Sequence, residues 1–190
     1  MVICVYTDGS CSNNGYSGAV AGIGIWFGEN DKRNVSARIS GKQTNNTAEL
    51  SAIIHTYSIL RNDIKNNKTV NIYSDSQYAI RCATTYGEKL KKKGWKNGKK
   101  GVPNVELVKM IYTLFEPHGN VTFHHVRAHT SNKDIHSIGN AHADRIANEA
   151  VQKKNATVIH VCDAKGGEGD EKEMISNPSL TQTKLSDFWG

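Results

Sequence analysis

The chain has 190 residues, 37% of them hydrophobic, and a formal net charge of +6 at pH 7. Its length and hydrophobic content predict one domain plus a tail, since the chain is too short for two full-sized domains. The positive charge favours an anionic partner, with nucleic acid first and an acidic membrane surface second. No apolar run approaches the roughly 20 residues of a bilayer-spanning helix, and the N-terminus lacks a signal-peptide pattern, so we expect a soluble, intracellular protein in the cytoplasm or nucleus.

The first 40 residues predict three antiparallel strands. Residues 2–7 are rich in β-formers and lead directly to Asp8, so we expect this strand to end at that carboxylate. Residues 18–27 and 34–40 alternate apolar with small or polar side chains, and the segment Gly-Glu-Asn-Asp between them predicts a turn. These features are typical of a β-meander.

After the meander, the pattern predicts alternating helices and strands. The pattern predicts four helices, over 47–60, 76–85, 106–115 and 141–151. It also predicts a short buried strand over 70–73 and a fifth strand over 121–126. We therefore expect a mixed five-stranded α/β sheet, with three antiparallel strands and then two parallel strands, flanked by helices.

The composition changes near residue 153. We expect the main domain to span residues 1–153, and residues 154–162 to form an extension that could hold one more short strand. Residues 163–181 have almost nothing to bury and predict a disordered linker before a C-terminal peptide over 182–190. The four cysteines are too scattered for a metal knuckle or a disulfide scaffold, which indicates reduced thiols.

Four carboxylates are expected to reach one edge of the sheet. Asp8 and Asp75 follow neighbouring strands, Glu49 lies in the first turn of the helix after the meander, and Asp144 lies on the last helix. Phosphodiester hydrolysis needs an activated water and neutralised phosphate charge, which two divalent cations about 4 Å apart supply. Mg²⁺ prefers oxygen ligands, so four shared carboxylates suit such a site. Taken singly, these acids have commoner structural explanations, as a first-turn helix acid, an N-cap or a surface acid.

The segments around these acids resemble, in order, the four acidic motifs of type 1 ribonucleases H. They read TDGSCSNNG around Asp8, QTNNTAEL around Glu49, YSDSQYAI around Asp75 and GNAHADRIANEA around Asp144. The resemblance covers about residues 2–152 and implies the ribonuclease H fold. It also implies hydrolysis of the RNA strand of an RNA–DNA hybrid, with 5′-phosphate and 3′-hydroxyl products.

The resemblance further implies a role for each acid. Asp8 would bridge two Mg²⁺ ions, for which Mn²⁺ could substitute. Glu49 and Asp75 would help to hold the metal on the leaving-group side, and Asp144 the metal that carries the attacking water.

The family also has a histidine on the loop before the last helix, where it assists proton movement and product release. His129 stands at the matching point after the fifth predicted strand, and imidazole chemistry suits that task. The loop is longer here than in the bacterial and human enzymes, and His136 lies within the extra length. We therefore expect His129 to be the loop histidine, with His136 as the alternative.

Polar residues near the acids are implied to contact the hybrid. Ser10, Cys11, Asn14, Asn45 and Gln77 would line the minor groove, and Gln43, Thr44 and Asn46 would face the DNA strand and its phosphates. Reading the 2′-hydroxyls and the shape of the helix is how a protein distinguishes such a duplex. Asn and Thr before a helix are also ordinary caps.

A basic stretch over residues 89–100 is expected to project into solvent. It resembles the basic handle of bacterial and human members, which implies salt-dependent phosphate contacts and a packing or stacking role for its tryptophan. The residues concerned are Lys91, Lys92, Lys93, Trp95 and Lys96. In isolation, a lysine run is more often a solvated surface.

The last residues resemble the peptide that binds the sliding clamp PCNA. Gln182, Leu185, Phe188 and Trp189 fit the pattern Q-x-x-aliphatic-x-x-aromatic-aromatic. One helical turn would present the three apolar side chains as a plug for a surface pocket, beside which the glutamine would form hydrogen bonds. The alternative is that Phe188 and Trp189 dock on their own domain.

Together these patterns predict a monomeric, replication-associated ribonuclease that removes RNA primers or stray hybrids. No hybrid-binding domain is expected before Asp8. One alternative is a hybrid-binding module without catalysis, which the four acids disfavour. Another is a related two-metal DNA nuclease, such as a resolvase or integrase, which the Asn-rich first loop, the TNNTAEL segment and the basic handle disfavour.

Overall fold

The computed structural model describes residues 2–98, 101–128 and 134–160. Within these ranges, no helix has the length and apolarity that a membrane span requires. The elements are β1 Ile3–Ser12, β2 Val20–Trp26, β3 Val35–Ile39, α1 Asn45–Lys65, β4 Val70–Ser74, α2 Gln77–Ala83, α3 Thr85–Lys92, α4 Val105–Phe115, β5 Val121–His125, α5 Ile135–Gln152 and β6 Val158–Ile159.

The strands form one mixed sheet in the order β5-β4-β1-β2-β3-β6. β2 pairs antiparallel with β1 and β3, whereas β4 pairs parallel with β1 and β5. The predicted mixed α/β sheet is confirmed, but the predicted count of five strands was one too low. β6 adds a sixth strand parallel to β3, within the extension where a short strand was anticipated.

β2 shows how one strand serves both faces of the sheet. Its alternate residues Ala21, Ile23 and Ile25 are fully buried in the main core, on the side of α1. Gly22 and Gly24 face α5 on the other side, where a Cβ at either position would meet that helix. Side chains alternate across a strand, so the large residues of β2 pack on the side of α1 and the glycines lie on the side of α5.

α5 lies unusually close to β2. A Cβ at Gly24 would overlap the carbonyl oxygen of Ala143, so only glycine permits this approach without a shift of the helix. Ser36 and Arg38 of β3 also bond to the carbonyls of α5, including Ser36 Oγ to the oxygen of Ile146 at 2.7 Å. The position of α5, and of the residues that it carries, is therefore fixed by the sheet.

β1 does not end at Asp8, as the sequence predicted, but continues to Ser12 in antiparallel pairing with β2. Its parallel pairing with β4 does stop nearby, at the pair Thr7 and Ser74. Asp8 and Asp75 therefore both follow the last parallel pair, and they emerge at the same edge. The predicted end of β1 was therefore wrong. The structure nevertheless places Asp8 and Asp75 at the edge of the sheet where the sequence predicted them.

Two predicted helix boundaries were also wrong. Part of the basic stretch is helical, because α3 reaches Lys92 and docks through Leu90, which is buried. α5 begins at Ile135 rather than at residue 141, because the side chain of Asp134 accepts hydrogen bonds from the first-turn N–H groups of His136 and Ser137.

Candidate metal centre

Three carboxylates meet where β1, α1 and β4 converge. Asp8, Glu49 and Asp75 each offer one oxygen, and these atoms all lie within 4.8 Å of one another. They line an open cavity of about 380 Å³, together with Gly9, Ser10, Asn45, Ser76, Ala128 and Asp144. The structure thus places the four predicted acids in one cavity, three of them as a tight cluster.

Gly9 makes the approach of β1 and α1 possible. A Cβ at this position would overlap the backbone N of Glu49 and lie 2.6 Å from the carbonyl carbon of Ala48. The start of α1 is fixed by a capping box, in which the side chain of Thr44 accepts from the N–H of Thr47 and the side chain of Thr47 accepts in return. Glu49 is therefore held against the strand beside Asp8.

The cluster stores electrostatic repulsion. Asp8 and Glu49 are each only 5% exposed. Burial, followed by the charges of Asp75 and Asp144, raises the pKa of Asp8 to about 8. Burial, followed by the charges of Asp8 and Asp75, raises the pKa of Glu49 well above its usual value. In both cases burial and the neighbouring negative charges disfavour the ionised form.

A hard divalent cation fits this donor set. Carboxylate oxygens suit Mg²⁺, Ca²⁺ and Mn²⁺, and a bound cation would remove the repulsion between the acids. Glu49 Oε2 is buried and has no hydrogen-bond partner among the described residues, which leaves it available as a ligand. The arrangement could bind metal and neutralise a nearby phosphate.

Two asparagines of α5 support the acids, and sequence reasoning missed both. Asn140 is 3% exposed and donates from Nδ2 to Asp75 Oδ2 at 3.1 Å. Asn148 donates from Nδ2 to Asp144 Oδ1 at 2.9 Å. The signal was present in the sequence, because a spacing of four residues on either side of Asp144 puts all three side chains on one helix face.

The residues predicted to line the minor groove have different surroundings. Ser10 and Asn45 line the cavity, and the side-chain oxygen of Asn14 accepts from the Asn45 N–H at 3.1 Å. Gln77 is exposed at the start of α2. Cys11 instead packs, partly buried, against the main core.

Gln43 and Thr44, predicted to face the DNA strand, form structural hydrogen bonds. Gln43 Oε1 accepts from the Ala21 N–H at 2.7 Å, and its Nε2 donates to the carbonyls of Ile39 and Gly41. Thr44 is the N-cap of α1, and Asn46 is exposed in the first turn.

The predicted basic handle is partly engaged with acids. Lys91 pairs with Glu116 and Lys92 with Glu88, each at 2.5 Å on the exposed surface. Such exposed pairs contribute little stability, so a phosphate could displace them. Lys93 and Lys96 are exposed, and the ring of Trp95 packs edge-on against Tyr112 with a centroid separation of 6.2 Å.

His129 and the C-terminal peptide with Gln182, Leu185, Phe188 and Trp189 lie outside the described residues. The alternative histidine, His136, lies in the first turn of α5. Its Nδ1 is 3.1 Å from the hydroxyl of Tyr6, and its ring stacks on Tyr73 with a centroid separation of 4.2 Å. This ring is therefore part of an aromatic stack between the sheet and α5.

Comparison with known proteins identifies relatives along most of the chain. The profile of the RNase H family matches residues 1–152. The ribonuclease H of Schizosaccharomyces pombe is 39% identical over 145 residues, covering 75% of this chain and 50% of that protein. The ribonuclease H of Ruthia magnifica is 34% identical over 157 residues, covering 80% of this chain and 96% of that protein.

The fold is also similar to a solved structure, that of the PFV RNase H domain. The two share 25% sequence identity and a TM-score of 0.63, over 79% of this chain and 94% of the other. The chain spans about half the length of several curated relatives that it matches, such as those of Schizosaccharomyces pombe and Mus musculus.

Asp8→Asn is expected to stabilise the protein in EDTA, and more at pH 8 than at pH 5. The folded-state pKa of Asp8 is raised from 3.8 to about 8. Between these pH values the unfolded chain ionises Asp8 more readily than the folded protein does, so Asp8 lowers the free energy of unfolding increasingly as the pH rises. Asparagine does not ionise and removes that cost. We expect a melting temperature higher by at least about 2–4 °C at pH 8, which corresponds to about 1 kcal/mol.

Thermal melts of both proteins at the two pH values test this, and Mg²⁺ should stabilise the wild type more than the variant. A variant that is no more stable than the wild type at pH 8 in EDTA would show that repulsion at Asp8 does not destabilise the metal-free protein.

Proposed function

Because the chain belongs to the RNase H family, we propose that it is an endoribonuclease that hydrolyses the RNA strand of RNA–DNA hybrids. The observation that carries the proposal is the cluster of Asp8, Glu49 and Asp75, with one oxygen from each within 4.8 Å, in a cavity that Asp144 also lines. Such a cluster has an energetic cost in a metal-free fold, and a metal-dependent phosphodiesterase explains why it is there.

The four acids would hold two Mg²⁺ ions, with Mn²⁺ as a substitute. When bound, the ions supply an activated water and neutralise charge on the scissile phosphate. Asp8 interacts electrostatically with each of the other three acids, so it would contribute to both metal positions. Glu49 and Asp75 would support the leaving-group side, and Asp144 the side of the attacking water. The products would carry 5′-phosphate and 3′-hydroxyl ends.

The rim of the cavity would select the hybrid. Ser10 and Asn45 stand beside the acids, where hydroxyl and amide groups can meet the 2′-hydroxyls of an RNA strand. Asn14 and Gln77 are exposed nearby, and the lysines of the handle would contact phosphates farther along the duplex. The side chain of Gln43 is already bonded to three backbone groups, so we propose that it supports this rim rather than touches DNA.

The test is cleavage of end-labelled RNA–DNA hybrid in Mg²⁺ and in EDTA by the wild type and Asp8→Asn. We expect metal-dependent cutting of the RNA strand alone. In the variant we expect a loss of at least about 10³-fold, since metal ions contribute several kcal/mol of transition-state stabilisation. Hybrid binding should persist, because asparagine has nearly the same shape as aspartate.

Double-stranded RNA, double-stranded DNA and branched DNA serve as substrate controls. Binding of the hybrid without cutting by the wild type would indicate a non-catalytic module. Cutting of branched DNA instead would indicate a DNA nuclease of the same fold.

We further propose that His129 assists proton movement and product release. The rival, His136, is held by Tyr6 and stacked on Tyr73, which supports a packing role for its ring. His129→Ala should lower kcat by at least about 10-fold with little change in KM, since general acid–base groups contribute about 10²–10⁴-fold.

His136→Ala is the matched control. We expect it to lower the melting temperature, and to lower kcat less than His129→Ala does. Steady-state kinetics and thermal melts on both variants decide the assignment. An equal or greater fall in kcat for a folded His136→Ala would show that His136 is the loop histidine.

We also propose that Gln182, Leu185, Phe188 and Trp189 bind a PCNA-type sliding clamp, which would bring a monomeric enzyme to RNA primers and hybrids at replication sites. The support is the sequence pattern, together with its position after a stretch of low hydrophobicity that suits a tether.

Replacing Phe188 and Trp189 with alanine is expected to weaken clamp binding by at least about 100-fold, because buried aromatic anchors carry 2 kcal/mol or more each. Calorimetry with a PCNA-type clamp measures this, with Thr183→Ala as a control at a variable position of the pattern. Clamp affinity that is the same for the wild type and the double variant would exclude the proposal.

A further inference from the structure

The support of Asp144 differs from that of the other acids. Asp8 and Glu49 are fixed by burial, and Asp75 is bonded to buried Asn140. Asp144 is only partly buried on α5 and lies outside the cluster of three. Burial therefore constrains its carboxylate less than it constrains those of Asp8 and Glu49.

We propose that Asn148 is a positioning residue that fixes the carboxylate of Asp144 and links it to Ser10 of β1. The inference rests on the proposed role of Asp144 as a metal ligand. Asn148 Nδ2 donates to Asp144 Oδ1 at 2.9 Å, and Ser10 Oγ donates to Asn148 Oδ1 at 2.5 Å. Asn148 thus uses both ends of its amide within one chain of hydrogen bonds.

The chemistry of the three groups fixes the direction of this chain. An ionised Asp144 can only accept a hydrogen bond, so the amide nitrogen of Asn148 must face it. The amide oxygen then faces Ser10, whose hydroxyl must donate. The amide has one orientation that satisfies both neighbours, and the Asp144 oxygen that it holds is therefore specified.

The chain of hydrogen bonds crosses between two elements of the site. Ser10 lies two residues after Asp8 on β1, on the same side of the strand, since alternate residues share a face. Asn148 lies one turn after Asp144 on α5. Asn148 therefore couples the acid of the last helix to the strand of the central acid, and sets their relative position before metal binds.

Preorganisation of this kind affects metal affinity. Groups that orient metal ligands commonly change affinity or activity by 10–100-fold when they are removed. A side-chain pair at this spacing on a helix surface, with no role in the site, would instead contribute slightly to stability and leave metal affinity unchanged. The two roles give different measurable results.

The experiment compares Asn148→Ala with Gln152→Ala, which removes an exposed amide from the same helix. We expect Asn148→Ala to weaken Mn²⁺ binding, measured by electron paramagnetic resonance of the free ion, by about 10-fold. The Mg²⁺ concentration for half-maximal cleavage should rise similarly, with KM for the hybrid within about 2-fold of the wild type. Gln152→Ala should behave as the wild type, and thermal melts verify that each variant is folded.

A double-mutant cycle with Asp144→Ala shows whether Asn148 acts through that acid. We expect Asn148→Ala to cause no further loss of Mn²⁺ affinity in the Asp144→Ala background. A loss that persists there undiminished would overturn the proposal, as would wild-type Mn²⁺ affinity in Asn148→Ala. If the wild type binds Mn²⁺ but does not cleave hybrid, the proposed function fails, while the cycle still decides the role of Asn148.

Discussion

The rest of the structure must offset the electrostatic repulsion among the buried carboxylates. Asp8 and Glu49 are almost fully buried beside Asp75, and burial and mutual repulsion raise the pKa of the first two. A chain free to relax would separate these groups or leave them in water. They stay together because β1, α1 and β4 are fixed by the main core, which buries large aliphatic side chains on both α1 and the central strands. The hydrophobic energy of that core offsets the cost of the site.

Close backbone approach is the means by which the core holds the acids. Gly9 allows α1 to pack closely against β1, and Gly24 allows α5 to pack closely against β2. At both positions a Cβ would overlap backbone atoms. The two glycines lie on strands that pair directly, so both helices are positioned by the same pair of strands. The acids thus approach one cavity from opposite faces of the sheet, Glu49 with α1 and Asp144 with α5. A shift of either helix would change the distances among the acids.

Much of this could be predicted from the sequence, because the relevant signals are local. Helical spacing and strand alternation predicted the mixed sheet, and the four motifs selected the acids that the structure brings to one cavity. The errors arose where partners distant in sequence decide the outcome. β1 continues past Asp8 because β2 pairs with it, and β6 exists through its pairing with β3. α3 extends into the lysine-rich stretch as far as Lys92 and packs there through buried Leu90, a long-range contact that the lysine-rich pattern conceals.

The asparagines of α5 show the same limit at the level of single side chains. The four-residue spacing predicts that both asparagines share a helix face with Asp144, but it does not predict which groups their amides meet across the fold. Asn140 meets an acid from the loop after β4, and Asn148 meets both an acid of its own helix and a serine of β1. Both contacts lie on one face of α5, which Gly24 allows to pack closely against the sheet. The last helix therefore does more than contribute Asp144, because it also carries the amides that hydrogen-bond to two of the four acids. The geometry of the candidate metal centre thus depends on how α5 packs against the sheet.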